Sequence, residues 1–373
     1  MRYRFNPFLT PGVAFEPADP AVLAFHSSLP GYQPTPLHAL PGLAASLGLA
    51  NIFVKDESHR FGLNAFKGLG ASWAMHRVHP KPAVFACATD GSHGRAVAWA
   101  ARLAGCKALV YVPKHMAQAR MDAIRREGAE VVVVDGQYDD AVRRADADSK
   151  SNGWQVIADT AYPGYMEIPG WVMEGYRTLF EEAERQIGEF SMLPPGLVIL
   201  QAGVGGMAAA GVQHFRQRDR SYRPAIACVQ PTSSDCLVES IFSADGSPHE
   251  TRGRQDSIMA LLNCGMPSLL SWPVLRAAVK LFFSIDDCFA EEAVRRLYYP
   301  AADDPRIVAG ESGAAGLAGL IALCTAPEFA EAKQKIGISK GLSVVVIVTE
   351  GPSNPESFNK IISRRGAENT EKT

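Results

Sequence analysis

The feature that most limits how this chain can fold is a repeated alternation of short β-branched runs with longer segments of helical composition. Runs with the length of buried strands lie at 52–54, 83–88, 108–112, 130–135, 155–158, 197–201, 225–229 and 343–348. Segments with helical periodicity lie at 66–78, 93–104, 118–127, 139–151, 165–187 and 206–215. This repetition is typical of the α/β class, so we predict parallel or mostly parallel twisted sheets with helices on both faces.

The composition indicates a folded chain without a strong overall charge. The 373 residues are 47% hydrophobic, which is enough for two packed domains. Lysine and arginine total 37 against 39 aspartate and glutamate, so no general attraction to nucleic acid or acidic membranes is expected. No apolar run has the length of a signal peptide at the start or of a membrane span later. We therefore expect a cytoplasmic protein that binds neither nucleic acid nor membrane.

The seven cysteines are scattered along the chain without a C-x-x-C pair, and their odd number fits neither a disulfide framework nor a zinc site. Most of them are expected to be small buried hydrophobic residues. No metal is assigned, because His93 has no second ligand at metal spacing.

A glycine-rich stretch follows the apolar strand at 197–201 and opens the helix predicted at 206–215. It contains Gly203, Val204, Gly205, Gly206 and Met207. Such a turn can bring backbone N–H groups and a helix N-terminus onto a phosphate group, and it can equally serve tight packing. A dinucleotide site is disfavoured, because the turn lies in the middle of the chain and no Walker Gly-Lys-Ser/Thr is present.

Several short motifs follow one another in a specific order, and one of them contains a lysine beside an aromatic residue. They are Thr35-Pro36-Leu37, Val54-Lys55-Asp56-Glu57, Asn64-Ala65-Phe66-Lys67, Thr89-Asp90-Gly91-Ser92-His93-Gly94, the glycine-rich stretch and Gly310-Glu311-Ser312-Gly313. Alone, a lysine such as Lys67 is usually a solvated surface charge. The ordered series, from Thr35 to Gly351, resembles the pyridoxal 5′-phosphate (PLP) enzymes of fold type II, the group of the tryptophan synthase β-subunit.

The resemblance implies a cofactor and a two-domain fold. PLP would be bound as a Schiff base to Lys67, with its phosphate on the backbone of 203–207. Residues 1–75 and 171–373 would form a large PLP-binding domain, and 76–170 a small inserted α/β domain. Relatives of this fold are commonly dimers, so a homodimer is expected.

Within that group, the likeness is strongest to the diaminopropionate ammonia-lyases. The stretches that carry it are 61–67, 88–91, 159–165 and 310–314. Dehydratases and racemases of this fold usually have serine in the place of Asp90, so this carboxylate carries most of the substrate assignment. The implied activity is the PLP-dependent α,β-elimination of D- and L-2,3-diaminopropionate, with water, to pyruvate and two ammonia.

The resemblance also implies roles for individual residues. Lys67 and Asp90 would offer one base to each face of the substrate Cα, which predicts turnover of both enantiomers. Asp159 would bind the β-ammonium group of the substrate. Thr349 would place a neutral hydroxyl near the pyridine nitrogen of PLP, which favours elimination. Further substrate contacts are expected from Thr89, Gly91, His93 and Tyr138.

These roles have structural alternatives. Asp90 could cap the helix that follows it, and Asp159 could be a turn residue that makes only local hydrogen bonds. His93 could cap or pack, and Tyr138 could be a core or rim tyrosine.

The sequence departs from the family pattern at Ser92. The resembling families have asparagine there, and its amide bonds the 3′-oxygen of PLP, whereas a serine hydroxyl is shorter and donates a single hydrogen bond. The departure leaves open a serine or threonine dehydratase-like or β-replacement enzyme acting on another β-substituted alanine. A non-catalytic amino-acid-binding relic is disfavoured, because such a protein has no reason to retain the lysine, the carboxylate and the glycine-rich stretch together.

Two cysteines, Cys236 and Cys264, stand where these lyases also tend to have cysteines. A disulfide between them is conceivable, although a cytosolic compartment argues against it.

Overall fold

The computed structural model describes residues 1–89, 91–190, 194–219 and 222–370, with the backbone alone for 364–370. Its strands are β1 Arg2–Phe5, β2 Leu37–Ala39, β3 Asn51–Asp56, β4 Val84–Ala88, β5 Lys107–Pro113, β6 Glu130–Val134, β7 Gln155–Val156, β8 Leu197–Gln201, β9 Ala225–Pro231, β10 Leu281–Ile285 and β11 Ser343–Val348. Its α-helices are α1 Pro20–Ser28, α2 Pro41–Leu47, α3 Lys67–Arg77, α4 Ser92–Leu103, α5 Gln118–Arg126, α6 Tyr138–Asn152, α7 Glu167–Gly175, α8 Arg177–Phe190, α9 Gly206–Phe215, α10 Cys236–Phe242, α11 Ser271–Ala278, α12 Asp287–Tyr298, α13 Ala315–Thr325, α14 Ala330–Ile336 and α15 Pro355–Thr370.

The predicted alternation of strands and helices is confirmed. Every predicted strand and helical segment overlaps an observed one, and the segment 165–187 is two helices, α7 and α8, which are separated at Tyr176. The five-residue strand β10 was not predicted. Neither were the shorter strands β1 and β2, because three or four residues carry too little periodicity to be told from loops. Each becomes a strand by antiparallel pairing with a longer neighbour.

Contacts divide the chain into two compact units. The larger unit comprises Met1–Pro17, Pro34–His59 and Leu179–Thr373, and the smaller comprises Ala18–Gln33 and Arg60–Thr178. These boundaries differ from the expected division into 1–75, 76–170 and 171–373. The reason is that α3 packs against α1 and α7, so the segments that flank the predicted insertion group with the smaller unit.

The larger unit is built on a sheet with the strand order β1-β10-β9-β8-β11-β3-β2. The two edge pairs are antiparallel and the inner pairs are parallel. The inner strands are buried on both faces, and α13 lies in the same hydrophobic core along nearly its whole length. Over the described ranges, no single helix could cross a membrane by length and apolarity; the bent pair Ala315–Thr325 with Pro327–Ile336 meets that test on length and composition only.

The smaller unit is built on a parallel sheet with the strand order β6-β5-β4-β7. β4 and β7 are neighbours, with Phe85 opposite Gln155 and Ala86 opposite Val156. Because the strands are parallel, the residues that follow them share one edge of the sheet. This edge is where Thr89 and Asp159 leave the sheet.

Helices α3 and α7 of the smaller unit cross at two glycines. A Cβ atom on Gly70 would lie 2.5 Å from Cε1 of Tyr176, and one on Gly175 would lie 2.7 Å from the carbonyl oxygen of Leu69. Neither position has room for a side chain, so the glycines permit the close approach of the two helices. The approach places the end of α7 beside the first turn of α3.

Candidate active site

Lys67 is the first residue of α3, and its amine lies beside two aromatic rings. Nζ is 5.2 Å from the ring centroid of Phe66 and 5.7 Å from that of Tyr176. It donates a hydrogen bond to Oδ2 of Asp159 at 2.5 Å, and the two side chains are only 23% and 19% exposed. A cation at a helix N-terminus opposes the helix dipole, so helix stability does not explain this lysine. Lys67 is part of a polar cluster rather than a solvated surface charge.

Asp159 lies in the loop after β7, and Tyr165 fixes that loop. The Tyr165 hydroxyl donates to the carbonyl of Val156 at 2.8 Å and accepts from the N–H of Ala158 at 3.1 Å. Its ring stacks on that of Tyr162 with centroids 5.0 Å apart. The loop therefore presents Asp159 at a defined position beside the end of the strand.

His93 is the second buried group beside Asp159. Its Nε2–H donates to the carbonyl of Ile157 at 2.9 Å, which leaves Nδ1 without a proton in the neutral ring. Within the described chain Nδ1 has no hydrogen-bond partner, and it lies 3.9 Å from Oδ2 of Asp159. Burial lowers the pKa of His93, so the ring is neutral at neutral pH, although the charge of Asp159 opposes this.

The ionisation of Asp159 is set by its neighbours. Burial raises the pKa of its carboxyl group, but the neighbouring positive charge, that of Lys67 first, and the hydrogen bonds to the carboxylate together outweigh this effect and hold the pKa well below its usual range. The carboxylate is therefore an anion throughout the physiological pH range.

Asp90 lies outside the described residues, and its neighbours form the start of α4. The Thr89 hydroxyl oxygen accepts from the N–H groups of Gly91 at 3.0 Å and Gly94 at 3.1 Å. It thus satisfies an amide of the first helical turn, a role considered for Asp90. Ser92 is the first helical residue and is partly buried. The expected substrate contacts of Thr89 and Gly91 stay predictions.

Tyr138 begins α6 and is 43% exposed, so it is not a core residue. It lies in the smaller unit with Asp159. Its expected contact with the substrate stays a prediction.

The glycine-rich turn of the larger unit joins β8 to α9. Gly205 has a φ angle of 100°, and a Cβ atom there would lie 2.8 Å from Cδ1 of Leu275, so glycine is required. A Cβ atom on Gly203 would lie 2.7 Å from Sγ of Cys264. No side chain caps α9, and the first N–H groups of a helix lack partners within it. This turn fits a phosphate group.

Gln201 connects the glycine-rich turn with Thr349. Its side-chain amide donates to the carbonyl of Ile347 at 2.8 Å and lies 3.3 Å from the Thr349 hydroxyl. β8 and β11 are neighbouring parallel strands, so the turn and Thr349 meet at the carboxyl ends of both. Ligands of open α/β sheets bind at such edges. The structure therefore brings these predicted cofactor groups together within the larger unit.

Cys236 and Cys264 are both free thiols, so the disulfide considered from the sequence is not formed. Cys236 lies beside the glycine-rich turn, with Sγ 3.8 Å from the carbonyl oxygen of Gly203. Burial raises the pKa of Cys236 to about 12, which makes the thiol unreactive at neutral pH.

Tyr176 completes a group with Lys67, Phe66, Asp159 and His93, which we call the lysine cluster, and it was not predicted from the sequence. It is 1% exposed and packs edge-on against Phe66 with ring centroids 4.7 Å apart. Burial raises its pKa, with the charge of Lys67 opposing the rise, and the phenol stays neutral. In an apolar helical segment nothing distinguishes such a residue from a core tyrosine.

The fold and these groups define a class of enzyme. Residues 29–350 match the family described as "pyridoxal-phosphate dependent enzyme", and the chain belongs to that family. The expected cofactor, PLP, and the expected fold type are confirmed.

Individual relatives and solved structures show which members of this family the chain is similar to. The chain is 41% identical over 367 residues to a diaminopropionate ammonia-lyase of Salmonella typhimurium (strain LT2), with 91% of each protein covered. Two crystal structures of the Escherichia coli diaminopropionate ammonia-lyase are similar in fold, one in complex with an aminoacrylate-PLP azomethine reaction intermediate and one with D-serine. Both have a TM-score of 0.88 and cover 98% of this chain and 97% of theirs, at 37% and 36% identity.

Proposed function

We propose that this chain catalyses the α,β-elimination of 2,3-diaminopropionate, as D- and L-isomer. One water is consumed, and pyruvate and two ammonia are formed. The observation that carries the proposal is the pairing of Lys67 with Asp159 at 2.5 Å in a chain of this PLP-dependent family. PLP, when bound, withdraws electrons from the substrate Cα, which makes its proton removable.

We assign the cofactor contacts within each unit separately. In the smaller unit, Lys67 is the covalent attachment point, and Ser92 offers one hydroxyl donor to the 3′-oxygen. In the larger unit, the amides of 203–207 bind the phosphate, which the uncapped start of α9 and the lack of room for a Cβ at Gly203 support. Thr349 places a neutral hydroxyl near the pyridine nitrogen.

We assign the substrate contacts to the two carboxylates and their neighbours. Asp159 binds the β-ammonium group, because it is an anion, and the bare Nδ1 of His93 offers a second acceptor. Lys67 takes or returns a proton on one side of Cα, and Asp90 serves as the base on the other side. The remaining substrate contacts are assigned to Thr89, Gly91 and Tyr138.

The assignment is tested by measuring pyruvate formation from diaminopropionate and from serine side by side. We expect kcat/KM for diaminopropionate to be at least ~10-fold higher, since only this substrate carries a β-ammonium for Asp159. Lys67→Ala is expected to lose both activity and the visible absorption of PLP bound to lysine. Lys114→Ala is the control, because that lysine of the same unit has a side chain 70% exposed.

Ser92 favours a second candidate function. Its hydroxyl is shorter than the asparagine amide of the resembling families, and a changed contact with the cofactor allows a changed choice of substrate. This candidate is a serine or threonine dehydratase-like or β-replacement enzyme. Faster pyruvate release from serine would select it over the ammonia-lyase. A purified protein that is colourless and does not take up PLP would contradict both.

We also propose that the enzyme is a homodimer in the cytoplasm. The net charge of −2 supports a protein without general affinity for anionic surfaces. Recovery of the enzyme in the membrane pellet after cell fractionation would contradict the location.

A further inference from the structure

Tyr176 carries a buried hydroxyl that the packing of the smaller unit does not explain. The side chain is 1% exposed, and within the described ranges its oxygen makes no hydrogen bond of ordinary geometry, although Lys67 lies near enough to act on it. Buried hydroxyls are nearly always hydrogen-bonded, because an unpaired one destabilises the fold. A phenylalanine would fill the same space without this cost. The hydroxyl therefore points to a use other than packing.

The surroundings of the ring indicate that use. Gly70 lets α7 approach α3, which brings the Tyr176 ring within 5.7 Å of the Lys67 amine. The charges of Lys67 and Asp159 both act on the phenol, so the hydroxyl lies near this ion pair. The lysine side chain is long and flexible and can meet the hydroxyl without movement of the backbone.

We propose that the Tyr176 hydroxyl is a positioning group that stabilises the Lys67–Asp159 ion pair. Its oxygen accepts a hydrogen bond from the Lys67 ammonium, and its hydrogen is donated to the Asp159 carboxylate. The ammonium is the state that Lys67 enters when it takes a proton from the substrate Cα, so the hydroxyl favours that transfer. The inference rests on the proposed role of Lys67 as the lysine that binds PLP.

The other titratable groups of the cluster cannot replace this hydroxyl. Asp159, from the loop after β7, is ionised and can only accept hydrogen bonds. His93, from the start of α4, presents a bare Nδ1 that also only accepts. Unlike Asp159 and His93, Tyr176 at the end of α7 combines a donor and an acceptor in one neutral group.

The test measures the reactivity of Lys67 in full-length protein from which PLP has been removed. Wild type and Tyr176→Phe are labelled with acetic anhydride over a pH series, and the Lys67 peptide is quantified by mass spectrometry. Without the hydroxyl the ammonium is less stable, so Lys67 should react about tenfold faster at a pH below its titration midpoint. Tyr176→Phe should still unfold in one cooperative thermal transition, because phenylalanine fills the space of the tyrosine ring.

Tyr111→Phe is the matched control. Tyr111 is also 1% exposed in the smaller unit, and its hydroxyl donates to Asp148 at 2.9 Å, remote in sequence from the lysine cluster. Its phenylalanine variant should leave the Lys67 profile unchanged and lower the thermal midpoint.

Two outcomes would overturn the inference. One is a folded Tyr176→Phe whose Lys67 profile lies within about twofold of wild type. The other is a Tyr176→Phe that fails to fold, which would make the hydroxyl a structural group. Because the labelling needs neither PLP nor diaminopropionate, a tenfold change beside a failed lyase assay would refute the proposed function and retain the role of the hydroxyl.

Discussion

At the scale of single residues, the Lys67 amine is surrounded by groups that each contribute a different property. Asp159 supplies a negative charge, His93 a bare acceptor, and the rings of Phe66 and Tyr176 supply polarisable faces. A cation–π contact and a charge-assisted hydrogen bond both favour the ammonium form of the lysine. Single substitutions around Lys67 should therefore have a larger effect on the protonation of its amine than on the stability of the fold.

The carboxylates Asp90 and Asp159 can be tested against each other. We expect Asp90→Asn to lower kcat/KM for the D-isomer by ~10²–10⁴ and to affect the L-isomer far less, because it removes one of two bases. We expect Asp159→Asn to lower the ratio of kcat/KM for diaminopropionate over serine at least ~10-fold, because an amide does not neutralise a β-ammonium. Asp159→Asn also removes the carboxylate partner of Lys67, which should affect both substrates equally. The ratio of the two kcat/KM values is free of this common effect.

Each variant has a contradicting result. Equal losses on the two isomers in Asp90→Asn would support a capping role for that residue. An unchanged substrate ratio in Asp159→Asn would leave Asp159 as a turn residue that positions the lysine only.

The sequence predicted the charged members of the cluster and missed the neutral one. Lys67 and Asp159 lie in motifs whose order resembles a known family, and the structure pairs them across 92 positions of the chain. Tyr176 lies in a helical segment where a buried tyrosine is ordinary. Its importance comes from a tertiary contact, which a one-dimensional pattern does not contain.

At the scale of elements, the crossing of α3 and α7 positions the lysine cluster. The helix that begins with Lys67 is held at short range by Gly70 and Gly175, where a Cβ atom would meet the other helix. The alternation of strands and helices was readable from the sequence, because central parallel strands form unbroken apolar runs. The break between α7 and α8 was not readable, because both helices continue one apolar periodicity.

Gly70→Ala tests this crossing. We expect the free energy of unfolding to fall by about 1–3 kcal/mol, because the new Cβ atom would lie 2.5 Å from Tyr176 and 2.7 Å from Val172. The measurement is urea denaturation of the full chain. Gly188→Ala in α8 is the control, since nothing lies within 4 Å of a Cβ atom there and alanine should add about 0.5–1 kcal/mol. Equal stability of the two variants would show that the helices can separate without cost.

At the scale of the whole molecule, the groups assigned to PLP are distributed over two compact units. Lys67 belongs to the smaller unit, whereas the glycine-rich turn and Thr349 belong to the larger. The sequence indicated two domains, but the placement of 18–33 and 60–75 in the smaller unit follows from helix packing around α3. Such packing joins segments distant in sequence, so composition and motif order did not reveal it.

The proposed homodimer is tested by size-exclusion chromatography with light scattering. We expect twice the mass of one chain, which is the mass of the proposed homodimer. A dilution series controls for association at high concentration. The mass of a single chain over the whole series would contradict the dimer.

The Tyr165 hydroxyl helps to fix the position of Asp159, the carboxylate that pairs with Lys67. Beyond the two-residue strand β7, this phenol bonds the chain on both sides of Ile157, as a neighbouring strand would otherwise do. The loop from Val156 to Tyr165 is therefore held by its own hydrogen bonds and needs no further strand beside it. Substitutions in distant parts of the protein should therefore leave the orientation of Asp159 unchanged.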